Sequence, residues 1–392
     1  MDLIFGLSTF LVLYMFVGYP LVLAFAVKLS SKNKNASSTD FAEYDNDPGL
    51  SVVIAAYNEE QNIVRRISNL LEQNYDLSKL QIIVGSDGSV DSTVSLLEEQ
   101  KIRAEQLGVS FQIMAFSERR GKPRILNEAL LHCEHDFVLF ADVRQTFSQD
   151  TLRNICRGFS DPNVGAVSGE LFLREPTDVE TVADMGLYWR YEKLVRKLEA
   201  KLHSTVGATG AIYAIRKNLF QPIPERTLID DVVIPMQICL QGYRVLFADN
   251  AQAFDVAPTD TNKEWLRKVR TLAGNWQLLS IRPGFLNPFK NPVWPQFISH
   301  KMLRLALPFC LLAMFISSYL VEGDLHSTMF TLQCLVYAIG VAAFFSENLR
   351  RMRIPGLIYF FCILNAAILV GFYRLASGNK EGLWSFAYKA EH

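Results

Sequence analysis

A surplus of charge of either sign is the first thing this 392-residue chain lacks. Lys and Arg number 39 against 40 Asp and Glu, for a net charge of −1. That balance supplies no bulk field for a polyanion and excludes nucleic acid as the main partner. Cysteine is also sparse. The six residues Cys133, Cys156, Cys239, Cys310, Cys334 and Cys362 form no CxxC, so neither a disulfide framework nor a zinc site is implied. His132 and His135 have no carboxylate or thiol cluster to complete a metal set and read as a solvated helix end. Only 22 Gly and 15 Pro accompany 27 Phe, which excludes collagen-like and disordered chains. No internal repeat is evident.

What is present in excess is hydrophobicity. The apolar fraction is 50% and the mean hydropathy +0.13, high for a soluble enzyme of this length. The excess is concentrated. Leu3 to Val27 carries no charge and, at ~1.5 Å per residue, is long enough to cross a bilayer. Ala24-Phe25-Ala26 resembles a leader cleavage site, but Met1-Asp2 offers no basic start and the run is too long, so an uncleaved anchor is expected. Further runs lie near Leu305–Val321, Thr328–Phe345 and Ile354–Tyr373. Three in a row on short loops point to a membrane bundle rather than to buried core helices. Pro283–Phe297, rich in proline and aromatics, reads as an interfacial segment.

The charges around these runs predict a topology. Lys28, Lys32, Lys34, Lys301, Arg304, Arg350, Arg351 and Arg353 flank one side, Glu322 and Asp324 the other. The positive-inside rule puts both termini outside and Lys28–Arg304 in the cytoplasm. Arg374, Lys380 and Lys389 fit that less well, and Glu381 and Glu391 soften the misfit. The expected divisions are an anchor at 1–28, a linker at 29–48, a globular domain at 49–282, the interfacial segment at 283–304, membrane helices at 305–376 and a tail at 377–392.

Between linker and bundle the pattern is α/β. Continuous apolar runs at Leu50–Ala56, Gln81–Gly85, Phe111–Phe116, Phe137–Ala141 and Val164–Ser168 alternate with helical stretches. That predicts a mostly parallel sheet covered on both faces. Ligands of such sheets bind beyond the carboxyl ends of the strands, and those ends carry Glu59, Asp87 and Asp142. Ser86-Asp87-Gly88-Ser89 leads a strand into a helix start, where Asp91 or Ser89 would serve equally as a cap. Arg119-Arg120-Gly121-Lys122-Pro123-Arg124 opens another helix and is either a phosphate-friendly loop or a solvated basic one. A carboxylate closing a buried strand, as Asp142 does, is costly unless it caps a helix or holds a metal. Asp230-Asp231 opens a helix, where paired acids serve the dipole or act as a general base. Arg267 and Arg270 are three apart and share a helix face, which an amphipathic interfacial helix would also show.

Taken in order, these motifs resemble the membrane-anchored family 2 glycosyltransferases, which include cellulose-, hyaluronan- and poly-N-acetylglucosamine-synthase-like enzymes. The resemblance covers about Leu50 to Leu279 and the arrangement of one span before and several after. It implies a GT-A nucleotide-sugar fold. Tyr57 and Glu59 would end the strand that frames the nucleotide base, and Asp87 would be the second acid of the base-binding pair. Lys122, in Gly-Lys-Pro-Arg-Ile-Leu-Asn, would lie near ribose and diphosphate. Asp142 would be the first acid of the metal motif, holding Mg2+ or Mn2+. Gly207-Ala208-Thr209-Gly210 and Arg216 resemble the acceptor-side strand. Asp230-Asp231 looks like the Glu-Asp pair whose second acid, here Asp231, is the catalytic base. Arg267-x-x-Arg270-Thr271 occupies the place of Gln-x-x-Arg-Trp, where Arg267 and Arg270 would add positive charge at the diphosphate. The chain departs from the pattern at Arg144, which leaves one carboxylate for the cation, and at Arg267 and Thr271, which remove the processive synthases' Gln and Trp.

The activity implied is inverting transfer from a nucleotide-diphosphate sugar, with UDP expected, to a lipid-linked or polymeric glycan at the membrane. It would serve cell-surface polysaccharide or glycolipid biosynthesis. A multi-pass plasma (inner) membrane protein with its catalytic domain in the cytoplasm is expected, with an export or polymerisation partner as a further expectation. Two other readings stand beside it. One is a polyprenyl-phosphate sugar synthase, and the other a non-catalytic nucleotide-sugar-binding membrane component, supported only by Arg144.

Overall fold

The computed structural model describes residues 1–31, 46–174, 183–256 and 261–378. Most of the expected linker and of the expected tail lies outside these described residues. The chain begins with α1 (Asp2–Leu13), a π-turn at Tyr14–Gly18 and α2 (Tyr19–Ser31), which together form a continuous apolar helix. Then comes the expected alternation: β1 (Leu50–Ala56), α3 (Ile63–Leu71), β2 (Leu80–Asp87), α4 (Thr93–Gln106), β3 (Ser110–Phe116), α5 (Lys122–His132) and β4 (Phe137–Ala141). The second half adds β5 (Thr146–Phe147), α6 (Thr151–Arg157), β6 (Val164–Arg174), α7 (Ala183–Leu202), β7 (Ile212–Arg216), α8 (Asp230–Leu240), β8 (Arg244–Val256) and α9 (Thr261–Ile281).

The eight strands form one sheet in the order β3-β2-β1-β4-β7-β6-β8-β5. β3, β2, β1 and β4 are parallel neighbours, β7 runs against both β4 and β6, and β8 runs parallel to β6. Alternation along β1 splits the core in two. Leu50, Val52 and Ile54 face one apolar layer and Val53 the other. Ile82 and Val84 repeat this against Ile83. A strand buried on both faces has no polar side to show, which is why these segments read as unbroken apolar runs.

The chain ends with α10 (Trp294–Gln296), a π-turn at Phe297–Met302, α11 (Leu303–Leu320), α12 (Asp324–Phe345), α13 (Glu347–Arg351) and α14 (Arg353–Ala376). Among the described residues four helices, Asp2–Ser30, Trp294–Leu320, Asp324–Phe345 and Arg353–Ala376, are long and apolar enough to cross a membrane. The second begins inside the segment expected to be interfacial. Pro295 does not prevent this, because a first-turn proline gives up no intrahelical hydrogen bond.

The helices are fastened to the sheet domain on two sides. α9 lies along α14, where the Trp276 indole N–H donates to the Ile368 carbonyl at 3.1 Å. A side chain on Gly371 would come within 2.9 Å of the Ala273 backbone nitrogen. On the other side, Met15, Tyr19 and Leu23 of the first helix are buried, and the Tyr191 hydroxyl of α7 donates to the Met15 carbonyl at 3.0 Å. The Gly371 contact is backbone against backbone and cannot be relieved by a rotamer. Gly371→Val is therefore expected to destabilise the protein by about 1–3 kcal/mol, the range for overpacking. Thermal unfolding of the detergent-purified chain checks this, and an unchanged midpoint would remove the contact from the account.

Candidate active site

The site forms where β1, β2 and β4 end. β1 leads into Asn58, which holds a positive φ of 50°. Asn is among the few residues that tolerate that region. Its side-chain oxygen accepts from the Val90 amide at 2.9 Å, and its own amide donates to Ser89 Oγ at 3.1 Å. The Glu59 amide donates to Thr93 Oγ1 at 2.8 Å. The two strand-end loops are thus laced together by polar groups near the expected nucleotide site. Tyr57 stands beside them with the Arg119 guanidinium 4.4 Å above its ring. The Glu59 carboxylate accepts from the Asn62 side-chain amide at 2.8 Å.

Asp87 is buried, and its carboxylate accepts from the amides of Arg120 at 2.5 Å and Gly121 at 2.9 Å. A buried carboxylate needs such donors. Its role in these contacts is to fix the basic loop, whose next residue, Lys122, opens α5. Gly88 permits the approach: at φ 73° it leaves no room for a Cβ, which would meet the Arg119 nitrogen at 2.8 Å.

The Lys122 ammonium lies 3.0 Å from Asp142 Oδ1 and 3.5 Å from Asp230 Oδ2. Burial works against its charge, but Asp142 and Asp230 outweigh that and raise its pKa above the ordinary lysine value. The Tyr213 hydroxyl of β7 donates to Asp230 Oδ2 at 3.1 Å. Asp142, at the mouth, keeps 42% of its side chain exposed.

Asp231 follows on the first turn of α8. Burial, and then the like charge of Asp230, push its carboxyl up to about 6, against the opposing pull of Lys122, Lys301 and Arg196. The backbone beside it is bare. A Cβ on Gly210 would stand 3.1 Å from Asp231 Oδ2, and the Ala208 amide donates to the Asp231 carbonyl at 2.7 Å. The glycine-rich stretch before β7 therefore lies close against this carboxylate, and a side chain at position 210 would crowd it.

Lys122, Asp142, Asp230, Asp231 and Gly210 come together, flanked by Tyr57, Glu59 and Asp87 on the neighbouring loops. The expected arginines stand differently. Arg267 is exposed and pairs with Glu264 of its own helix at 2.8 Å, with Arg270 one turn further on. α9 braces the site through Gln277. Its side-chain oxygen accepts from the Leu228 amide at 3.0 Å and its nitrogen donates to the Arg226 carbonyl at 2.8 Å, just before Asp230. Arg216 lies at the opposite end of the sheet, across from Phe137 at the start of β4. There its guanidinium donates to the carbonyls of Val164, Phe159 and Asp161, so it braces the fold and does not join the acceptor side.

Sequence reading missed a second polar layer. Glu192, Arg196 and Glu199 recur at helical spacing on α7 and point inward. Arg196 donates to Thr209 Oγ1 at 3.0 Å. His300, 2% exposed, sits between Glu199 at 2.8 Å and Glu192 at 3.0 Å. The Tyr19 hydroxyl donates to Glu199 at 2.6 Å, and Arg304 pairs with Glu192. Burial favours a neutral Glu192, but Arg304 and His300 override it and hold the carboxyl well below the usual range. The spacing on α7 is a helix-face signal, but the partners of its two glutamates lie 101 to 180 residues away in sequence.

The role of Asp87 generates a direct test. In Asp87→Ala, the Arg120 and Gly121 amides lose their acceptor. Hydrogen exchange in a peptide spanning 116–126 is expected to speed up at least about tenfold, since opening that loop no longer breaks charge-assisted bonds of ~1.5–3 kcal/mol. The β1 peptide serves as the unchanged reference. Equal exchange in both proteins would mean that the loop is held by something else.

Comparison with known proteins places this geometry. The profile of Glycosyl transferase family 2 matches residues 51–223. Poly-beta-1,6-N-acetyl-D-glucosamine synthase of Staphylococcus aureus (strain COL) is 24% identical over 254 residues, which is 64% of this chain and 60% of that protein. The match thus spans about three fifths of the length of that curated relative. The synthase of the same name from Staphylococcus epidermidis is 20% identical over 387 residues, 90% of each chain. A mannosyltransferase from Pyrobaculum calidifontis, solved with GDP-Man and Mn2+, superimposes with a TM-score of 0.69 at 22% identity, covering 95% of this chain and 99% of that one. Residues 51–223 are therefore a family 2 glycosyltransferase domain, and the sheet that carries it has the GT-A fold.

Proposed function

We propose that the chain is an inverting glycosyltransferase that moves a sugar from a nucleotide-diphosphate donor, a UDP-sugar, to a membrane-associated glycan or lipid-linked acceptor. The observation that carries this is Asp231. Its carboxyl is pushed up to about 6, it stands beside the bare backbone of Gly210, and it is one residue from the Lys122–Asp230 pair. A base works best with a pKa near the operating pH, and this one is raised toward it.

The roles follow from position. The laced loops after β1 and β2, with Tyr57, Glu59 and Asp87, frame the nucleotide. Lys122 faces the diphosphate with a charge fixed by two carboxylates. Arg267 and Arg270 of α9 are the further charges this reading assigns to the diphosphate. The acceptor hydroxyl loses its proton to Asp231 and its oxygen bonds to the anomeric carbon. The bond from that carbon to the diphosphate oxygen breaks, and the nucleoside diphosphate leaves with the electron pair.

A divalent cation fits the residues present. Asp142 is half-exposed at the mouth, and such ions are commonly held by one or two carboxylates with substrate phosphates and water completing the shell. Among the described residues there is no group of three His, Cys, Asp or Glu that could hold an ion alone. Asp142 would hold it, and Arg144 supplies no second carboxylate. When bound, Mg2+ or Mn2+ would stabilise charge on the departing diphosphate.

Membrane attachment suits this reading, because the burial of Met15, Tyr19 and Leu23 makes the first helix a packed part of the protein. With the positive-inside orientation the donor site faces the cytosol, where nucleotide sugars are made. The products would be cell-surface polysaccharide or glycolipid, with an export or polymerisation partner as a further part of this reading.

Asp231→Asn is expected to lower transfer by about 10²–10⁴-fold, the range for a lost general base. Binding of UDP should persist within a few-fold. Equal loss of both would overturn the base assignment. Because Asp231 must be ionised to accept a proton, the rate should fall as pH drops through about 6. Asp230→Asn removes the like charge that helps raise Asp231, so the acidic limb should move to lower pH. Nucleoside diphosphate release from a panel of UDP- and GDP-sugars, with and without Mn2+, fixes donor and metal dependence in one measurement.

A further inference from the structure

Lys122 stands between two carboxylates, and one of them has a second use. Its ammonium donates to Asp142 Oδ1 at 3.0 Å and lies 3.5 Å from Asp230 Oδ2. Asp142 is also the carboxylate that would hold a divalent ion. The ion and the ammonium carry like charge and draw on the same group. At such range they repel unless an anion comes between them. Asp142 is poorly placed to favour the ion unaided. It offers one carboxylate with Oδ1 already paired, and Arg144, exposed two positions on, adds positive charge. Mg2+ and Mn2+ held by so few carboxylates complete their shells with substrate phosphates and water.

Both partners can release the lysine. A buried charge stripped of every partner would forbid this. Asp230 is buried, but it keeps the Tyr213 hydroxyl as a donor at 3.1 Å. Asp142 is half-exposed, so water or an ion can take the place of the ammonium. The lysine also has somewhere to go. It opens α5, an 11-residue helix whose N-terminal end favours an anion. A diphosphate arriving there carries more negative charge than either carboxylate and accepts charge-assisted hydrogen bonds.

We propose that Lys122 is a tethered stand-in for the divalent ion. It holds Asp142 until the donor's diphosphate draws it off, so the metal enters only after the nucleotide. This rests on the glycosyltransferase reading and adds an order of loading to it. No covalent bond changes in the exchange: the ammonium leaves two carboxylates for phosphate oxygens, and Asp142 is then open to the ion. The same lysine keeps Asp142 and Asp230 from facing each other as unneutralised like charges before the donor arrives.

The test uses the full chain in detergent and follows free Mn2+ by electron paramagnetic resonance, corrected for Mn2+ held by UDP alone. UDP is expected to bind without Mn2+. The wild type should bind Mn2+ at least about tenfold more tightly with UDP than without it, the scale of one charge-assisted contact. Without UDP, Lys122→Met should bind Mn2+ at least about tenfold more tightly than the wild type, and Lys122→Arg, which keeps the charge, should not. Lys122→Gln replaces the methionine variant if that one is not recovered folded. Arg124→Gln removes a like charge that is paired with Glu225 instead, and should change Mn2+ affinity by less than about threefold. Adding Asp142→Asn to Lys122→Met should cancel its gain. A wild-type chain that takes up Mn2+ as tightly without UDP as with it overturns the proposal, whatever the variants do. So does an unchanged affinity in the Lys122 variants, or an equal gain in Arg124→Gln, which would make the effect one of general charge. If UDP binds and no sample takes up Mn2+, Lys122 is the permanent cation of the site; the proposal falls and the glycosyltransferase reading stands. If UDP fails to bind the wild-type chain, that reading fails first.

Discussion

The structure depends on one buried contact, the imidazole of His300 held between Glu192 and Glu199. Three separate parts of the chain meet around it. Glu192 and Glu199 are on α7, His300 and Arg304 on the helix that enters the bundle, and Tyr19, which also reaches Glu199, on the first helix. Charges this deep tolerate no loss of a partner, because an unpaired one keeps the full cost of desolvation. The cluster therefore sets where the apolar helices sit against the sheet. It also sets where α7 presents Arg196. The position of Arg196 beside Thr209 is thus a consequence of where the helices are anchored.

The cluster at the strand ends is built on the opposite principle. Its charges are arranged in short local steps, with Asp87 on the basic loop, Lys122 between Asp142 and Asp230, and Tyr213 beneath Asp230. Asp87 and Asp142, at the ends of β2 and β4, meet the start of α5, where Lys122 also reaches the start of α8 at Asp230. A parallel sheet delivers such ends to one edge, and the alternation of strand and helix delivers them in chain order. The result is a site whose parts are close in space because the topology repeats.

That contrast explains how much was legible in the sequence. The apolar runs of β1, β2 and β4 announced themselves because strands buried on both faces are unbroken apolar segments, and β3, a half-exposed edge strand, was legible from its own apolar run. The acids at their ends followed, and so did the four apolar helices. β8 did not, because Asp249, Asn250 and Gln252 interrupt it, although it pairs with β6 along its length across a bulge. The start of the second apolar helix was hidden by prolines that its first turn accommodates. Arg216 sat next to an acceptor-side motif in sequence but faces the other end of the sheet, since five residues of strand are enough to cross it. His300, Arg304 and Tyr19 could not be matched to Glu192 and Glu199 by any periodicity, because those pairs are separated by 101 to 180 positions.

The two π-turns, Tyr14–Gly18 and Phe297–Met302, meet in the structure, with Tyr14 Oη and Ser299 Oγ 2.9 Å apart. A π-turn takes an extra residue into one turn of helix and rotates everything beyond it by about 100° relative to an unbroken α-helix. Each of these helices therefore has two faces out of phase with one another. One, near the junction, is set by tyrosine and histidine reaching α7; the other, further along, is set by the apolar surroundings. The two needs are separated at the same level in both helices. A lineage could lengthen or re-aim the apolar portion to suit a thicker or thinner bilayer and leave the charge junction in register, so these two turns act as a pair of phase couplings between a fixed enzyme and an adjustable anchor.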